Sequence, residues 1–286
     1  MKYGVYVPNF GPYGDARAIA AVARDVENAG WDGFFFWDQV AGELWPENMV
    51  DPWVALAAIA LNTERIRIGT LITPLPRRRP WKVARESVSI DHLSNGRLVF
   101  GVGIGVGPGE WDNLGEETDL KARGAMLDEA LDVLTGLWSG EPFNYDGTHY
   151  QIETTHFLPK PVQSPRIPIW VGGTWPNKAP FRRAARWDGT FPDPAFDLST
   201  DDTLDLMAFV KEHRSSDAPF DVVHGGVTSG DPAKDVDVVA PYADIGVTWW
   251  LESVNPEVFG CGWKDEWPIE EMRARILAGP PKVPTR

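Results

Sequence analysis

The chain has one cysteine, Cys261, among its 286 residues, so no intrachain disulfide is possible. That usage fits a reducing compartment, and a cytoplasmic location is expected. Histidine is scarce too: His92, His149, His156, His213 and His224, no two at metal-ligand spacing, so no metal site is expected. Basic residues are outnumbered 27 to 41, for a formal charge of −14. Such a surface repels phosphate backbones, which argues against nucleic acid or an anionic membrane as partner. The longest apolar helical run, Trp53 to Leu61, falls short of the ~20 residues of a membrane span. The opening MKYGVYVPNF has no extended apolar stretch and reads as a strand, so no signal peptide is expected. Reaction motifs are missing as well: no Gly-x-Ser-x-Gly elbow and no phosphate-binding Gly-Lys-Ser/Thr loop. The glycine-rich run Gly101 to Gly109 fails dinucleotide spacing, because the third glycine would fall at Val106, Pro108 or Glu110.

What is present is a globular composition, 43% hydrophobic and 24% charged, with 14 tryptophans. Many of these indoles must lie at the core edge or around a pocket, because each N–H wants a partner. Strand and helix signals alternate along nearly the whole chain. Strands are expected at Lys2 to Asn9, Gly33 to Asp38, Ile66 to Thr73, Leu98 to Gly105, Ile167 to Gly173, Asp188 to Asp193, Asp221 to Thr228 and Thr248 to Ser253. Asp15 caps a first helix with the stripe Ile19, Val22 and Val26, and Gly30 stops it. Asp51-Pro52 opens a second helix, and Pro80 a third that ends at Ser94-Asn95-Gly96. A fourth carries Leu127, Leu131, Leu134 and Trp138 on one face. Further helices are expected from Lys178, over Thr200 to His213, Pro232 to Ala240 and Ile269 to Leu277. Ser139 to Pro168 breaks the rhythm and reads as an insertion. With no internal repeat and no linker, the expectation is one domain over 1–286. It is an α/β fold, a (β/α)8 TIM barrel with an insertion between the fourth strand and helix and the fifth strand; an open doubly wound sheet is the alternative.

In a barrel the site lies at the C-terminal ends of the strands. That selects Asn9, Asp38, Gln39, Thr70, Thr73, Gly103, Gly105, Gly172, Gly173, Thr174, Asp193, Thr228, Glu252 and Ser253. Small neutral polar residues dominate, which suits a large planar ligand better than a hydrolytic metal site. The glycines from Gly101 onward either let a flat ring approach the backbone or serve tight barrel packing. Arg77-Arg78-Arg79 reads first as a solvated turn and second as a phosphate contact. His224 reads first as a satisfied core histidine and second as a group facing the mouth.

Several segments together resemble one family, the bacterial-luciferase-like flavin-dependent oxidoreductases, which include FMN-dependent monooxygenases and F420-dependent oxidoreductases. The carriers are Ala29 to Gly33 leading to Trp37-Asp38, Arg65 to Thr70, Arg79-Pro80 and Asp91-His92-Leu93-Ser94-Asn95-Gly96-Arg97 before Gly101 to Gly105. Leu137 to Glu141, Pro168 to Gly173 and Gly246 to Trp250 extend the match. The resemblance implies an oxidoreductase, such as a monooxygenase, working with FMN or F420 at the barrel mouth on a small organic substrate. It implies a bulge, often with a non-prolyl cis peptide, near Leu71-Ile72. Thr70, Leu71 and Ile72 would back the ring, Gly103 and Gly172 would lie close to it, and Gly173 and Thr174 would meet the phosphate. Asp38 and Gln39 would be the polar groups at the ring or substrate, with Trp37, Trp45 and Trp111 walling the pocket. A separate flavin reductase as supplier and a homodimer through the second and third helices are further implications. Two departures stand out. Gln39 occupies the place of a histidine in many relatives, and it cannot titrate near neutral pH. Ile104 occupies the place of the luciferases' phosphate-gripping arginine. A flavin-binding protein without turnover is the alternative from another class, supported by Gln39. An unrelated barrel lyase or hydrolase is a third reading, for which no acid–base cluster is found.

Overall fold

Alternating side chains in Lys2–Val7 form the first strand, β1, of a parallel sheet. The structure is a computed structural model that describes residues 1–41, 48–105, 107, 109–193, 198–281 and 283. The other parallel strands are β2 (Gly33–Phe36), β3 (Arg67–Thr70), β4 (Thr73–Pro74), β5 (Phe100–Gly103), β8 (Ile169–Gly173), β9 (Gly189–Pro192), β10 (Asp221–Gly226) and β11 (Trp249–Ser253). Their order is β3-β2-β1-β11-β10-β9-β8-β5-β4. β3 and β4 are two halves of one strand, interrupted at Leu71-Ile72, so eight strand positions remain, as the alternation of signals implies. A parallel bridge between Ile68 and Leu98 joins β3 to the stretch before β5 and closes the ring. The insertion is a short antiparallel hairpin, β6 (Phe143–Asp146) and β7 (Gln151–Thr155).

The helices α1 (Ala16–Asn28), α2 (Pro52–Asn62), α3 (Pro80–Leu93), α5 (Leu120–Trp138), α6 (Lys178–Ala184), α7 (Thr200–His213), α8 (Pro232–Asp244) and α9 (Ile269–Leu277) follow the strands. A four-residue α4 (Gly109–Asp112) precedes α5 and has no sequence counterpart above. The Asp15 and Asp51 carboxylates accept from the first free backbone N–H groups of α1 and α2, as their positions imply. Strand ends are shorter than the hydrophobic pattern suggests. β1 stops at Val7 and β2 at Phe36, because the polar residues beyond them turn into the mouth.

The three phenylalanines of β2 divide between two cores. Phe35 points into the barrel, where its ring lies 5.4 Å from Trp170 and 5.8 Å from Trp249. Leu71, Val99, Phe191, Val223 and Leu251 complete that inner core. Phe34 and Phe36 face the helices and join the outer core of Leu56, Ile59, Leu131 and Leu134. Gly69 has no room for a side chain: an added Cβ would lie 2.1 Å from the Val99 carbonyl.

Glu27, buried at the end of α1, holds the turn between α2 and β3. Its carboxylate accepts the backbone N–H groups of Glu64, Arg65 and Ile66. Burial acts to raise its pKa, but these bonds and the Arg65 charge outweigh it, and the net direction is down. A depressed folded pKa stabilises above the ordinary value of 4.5, and the contribution is lost as pH falls through the lower folded value. Glu27→Gln is expected to lose about 1–3 kcal/mol at neutral pH. Urea midpoints should fall more steeply on acidification for the wild type than for the variant.

Candidate active site

The loops at the C-terminal ends of the strands enclose a cavity of about 1350 Å³. That exceeds the roughly 300–1,000 Å³ of a usual ligand pocket and leaves room for two molecules. Its floor is built by the interrupted third strand. The Leu71-Ile72 peptide is cis, as the resemblance implies. The Tyr6 hydroxyl donates to the Leu71 carbonyl at 2.7 Å. Burial, with Asp193 nearby, pushes the Tyr6 pKa well up, so it stays a donor. Ile72 stands half-buried in the floor. A Cβ on Gly103 would lie 2.5 Å from its Cδ1, and one on Gly172 2.6 Å from its Cγ2. The glycines therefore seat Ile72, and the isoleucine supplies part of the surface above them. Gly172→Ala is expected to push Ile72 into the cavity and weaken any ligand lying on that floor, while overpacking lowers stability by about 1–3 kcal/mol. Thermal melts with and without the ligand separate the two effects.

Leu71, Ile72, Gly103, Gly172, Gly173, Thr174, Asp38 and Gln39 all line the cavity. Thr70 does not: its hydroxyl is bonded to that of Thr73 at 2.7 Å beneath the floor. Asn9 braces two loops, donating to the carbonyls of Gln39 and Val50. Glu252 points away, to Thr228 and Arg275. Burial raises its pKa against the pull of Arg275. Asp193 and Ser253 do line the cavity, as do Trp37 and Trp111; Trp45 lies outside the described residues.

The arginine run differs from the solvated turn that its composition suggests. Only Arg79 is exposed. Arg77 Nη2 donates to Asp38 Oδ1 at 2.9 Å and to the Asp38 carbonyl, and Arg78 Nη2 reaches the same Oδ1 at 2.7 Å. Arg77 Nη1 lies 2.6 Å from Glu110 Oε2. Glu110 Oε1 in turn accepts the Val40 and Ala41 N–H groups. Two buried acids and two arginines thus tie together the loops after β2, β4 and β5. A one-dimensional reading has no means of pairing charges 39 residues apart.

The end of β2 leaves polar atoms over. Trp37 Nε1, Asp38 Oδ2 and Gln39 Oε1 are buried and have no hydrogen-bond partner among the described residues. Trp111 Nε1 and Arg123 Nε share that condition. Buried polar atoms are nearly always bonded in a working protein, but the inner-core indoles Trp170 and Trp249 share this condition, so it does not by itself mark a ligand's place.

Arg123 is the residue that the sequence reading misses. It sits in the first turn of α5, 94% buried at the cavity wall (6% exposed). Its guanidinium stacks 4.1 Å from the Trp111 ring centre and donates to the Ile104 carbonyl at 3.3 Å. It makes no ion pair among the described residues. Burial lowers its pKa, partly offset by Glu117, Asp112 and Asp119. The place of the luciferases' arginine is taken by Ile104, yet a guanidinium arrives there from 19 residues later. The available signal was an arginine one turn into a helix after a glycine-rich strand.

His224 stacks on Tyr242 of α8, with centroids 3.9 Å apart, and lies 5.3 Å from Trp250. It touches the cavity edge from this aromatic stack between sheet and helix, in line with its reading as a core histidine. No three acidic, histidine or cysteine side chains gather into a cation site among the described residues. No helix among them is long and apolar enough to cross a membrane.

Residues 1–244 match the model of a family described as luciferase-like monooxygenase. An uncharacterised protein of Mycobacterium tuberculosis is 33% identical over 201 residues, covering 70% of this chain and 67% of its own length. Among solved structures, a monooxygenase from Streptomyces bottropensis shares the fold with a TM-score of 0.73 at 19% identity, over 96% of both chains. The coenzyme F420-dependent tetrahydromethanopterin reductase of Methanopyrus kandleri does so with a TM-score of 0.73 at 16% identity, over 97% of both chains. At those identities the likeness is one of fold.

Proposed function

The chain belongs to the luciferase-like monooxygenase family, and from that premise we propose that its barrel mouth binds FMN or F420 and carries out redox chemistry on a small organic substrate. The observation that carries this reading is Arg123, a buried guanidinium with no ion pair among the described residues, facing a cavity large enough for cofactor and substrate together. With no direct ion pair among the described residues, the guanidinium is able to receive an anion, and both cofactors bring a phosphate. Thr174 and Asn177 line the cavity as further hydrogen-bonding groups. Ile72 and Leu71 offer an apolar floor suited to a flat ring.

FMN, when reduced, supplies electrons to oxygen, whereas F420 supplies a hydride without it. The protein's share is to bind, orient and exclude water. Asp38, clamped by Arg77 and Arg78, shapes the wall, while Gln39 offers an amide that cannot exchange a charge. Loading the protein with reduced FMN or reduced F420 and then admitting oxygen tests the assignment. With FMN, incorporation of an atom of labelled oxygen into a substrate marks a monooxygenase, and oxygen-independent oxidation of F420 by an added acceptor marks a dehydrogenase or reductase. Failure to consume a substrate with either reduced cofactor would overturn the proposal. A flavin reductase is needed as supplier only in the first case. The reducing cytoplasm, which holds such reduced cofactors, is the compartment that this reading requires.

The assembly that fits is a homodimer. α2 is apolar on both faces: Leu56 and Ile59 are buried, yet Val54 is 57% and Leu61 71% exposed. An all-apolar helix wants cover on its outer side. Light scattering is expected to give a dimer for the wild type and a monomer for Val54→Glu with Leu61→Glu, the fold retained. A monomeric wild type would remove this part of the proposal.

A further inference from the structure

We propose that the cofactor is F420, not FMN, and that its acidic tail leaves the mouth over Lys178 and Arg182 of α6. The inference rests on the cofactor reading of the cavity above. The chain is strongly acidic, with 41 acidic residues against 27 basic. At the mouth, Arg77 and Arg78 are held by Asp38 and Glu110. Lys178 and Arg182 are different. Both are exposed, and neither forms an ion pair among the described residues. They lie one turn apart on one face of the helix, against aromatic rings. The Lys178 ammonium is 3.5 Å from the Trp175 ring centre and 4.8 Å from that of Phe209 in α7. The Arg182 guanidinium is 6.0 Å from the same Phe209. A ring takes one side of a cation and leaves its other N–H donors open to an anion.

The pair adjoins the part of the cavity proposed for the phosphate. Thr174 and Asn177 line the cavity, and Trp175 and Lys178 are their immediate neighbours in the chain. Arg183, the residue after Arg182, donates from Nη2 to the Gly124 carbonyl at 3.1 Å. That bond fixes α6 against α5 beside Arg123. Elsewhere on the cavity lining, the exposed charges among the described residues are Asp112 and Glu257. Both repel an acidic chain, which leaves the α6 side for it to follow. The two cofactors part at this point. FMN stops at its phosphate, whereas in F420 the phosphate continues into a lactyl group and a chain of glutamates. The cation pair therefore has a partner in F420 and none in FMN. Exposed ion pairs are individually weak, so the pair adds to the binding of ring and phosphate and does not replace it.

The test titrates three ligands into the full-length protein at low salt, with cofactor fluorescence as the readout. They are F420 with its glutamates, F420 trimmed enzymatically to the lactyl phosphate, and FMN. Intact F420 is expected to bind about 3- to 30-fold more tightly than the trimmed form, the gain of two exposed ion pairs. That gap should close in 1 M salt, where the Debye length is about 3 Å. Lys178→Gln with Arg182→Gln is expected to close it at low salt, leaving the trimmed form and FMN unchanged. Lys178→Glu with Arg182→Glu is expected to reverse the order of intact and trimmed F420. Equal affinities of those two for the wild type would overturn the proposal, as would FMN binding more tightly than intact F420. An equal loss for all three ligands in both double variants would overturn it too, since it marks a disturbed wall. Binding of all three alike leaves the cofactor reading standing and removes only the tail site. Binding of none removes both, so the two failures are told apart.

Discussion

Arg77→Ala is expected to lower the stability of the protein by about 3–5 kcal/mol, because it breaks a buried ion network from one side. Arg77 is the bridge: one nitrogen serves Asp38 and another serves Glu110. The side chains are 4%, 0% and 9% exposed, so water cannot take its place. Removing the guanidinium leaves Asp38 with Arg78 alone and Glu110 with two backbone N–H groups. Arg77→Lys should recover only part of the loss, since an ammonium cannot reach both acids as a fork. The exposed neighbour Arg79 is the control, with Arg79→Ala expected within about 0.5 kcal/mol of wild type. Urea denaturation of the three variants makes the comparison. A loss below about 1 kcal/mol for Arg77→Ala would mean that the network behaves as a surface one.

Arg123→Gln is expected to weaken FMN by roughly 10- to 150-fold while leaving riboflavin nearly unchanged. The two flavins differ only in the phosphate, and a charge-assisted bond to a buried partner contributes about 1.5–3 kcal/mol. Glutamine keeps a donor for the Ile104 carbonyl and much of the stacking area on Trp111. Charge is then the main thing removed. Equal losses for FMN and riboflavin would point to a collapsed wall instead of a missing phosphate contact. The fluorescence of each flavin on titration supplies both constants.

How much of this was legible in the chain depended on whether the signal was local. The alternation of strand and helix patterns, the Asp15 and Asp51 caps and the break after Trp138 are short-range features, and all correspond to elements of the structure. So does the placement of Asp38 and Gln39 at the mouth, since a strand that ends in polar residues must deliver them to its loop. Leu71-Ile72 is different. Its cis bond followed from resemblance alone, as nothing in Thr70 to Thr73 marks it physically. The partners of Arg77 and Arg78, the seating of Ile72 between Gly103 and Gly172, and the arrival of Arg123 under Ile104 are long-range pairings. They arise only when the ring closes, and no window of the sequence contains both members. The arginine run shows the consequence: its composition says solvent, and only one of its three members is exposed.

The central claim is that the mouth is a site for a phosphate-bearing redox cofactor. Calorimetric titration of the purified protein with FMN, and separately with F420, tests it most directly. The account predicts that one of the two binds with a single site per chain and a Kd of about 10 μM or tighter, near −7 kcal/mol. Failure of both to bind would contradict it.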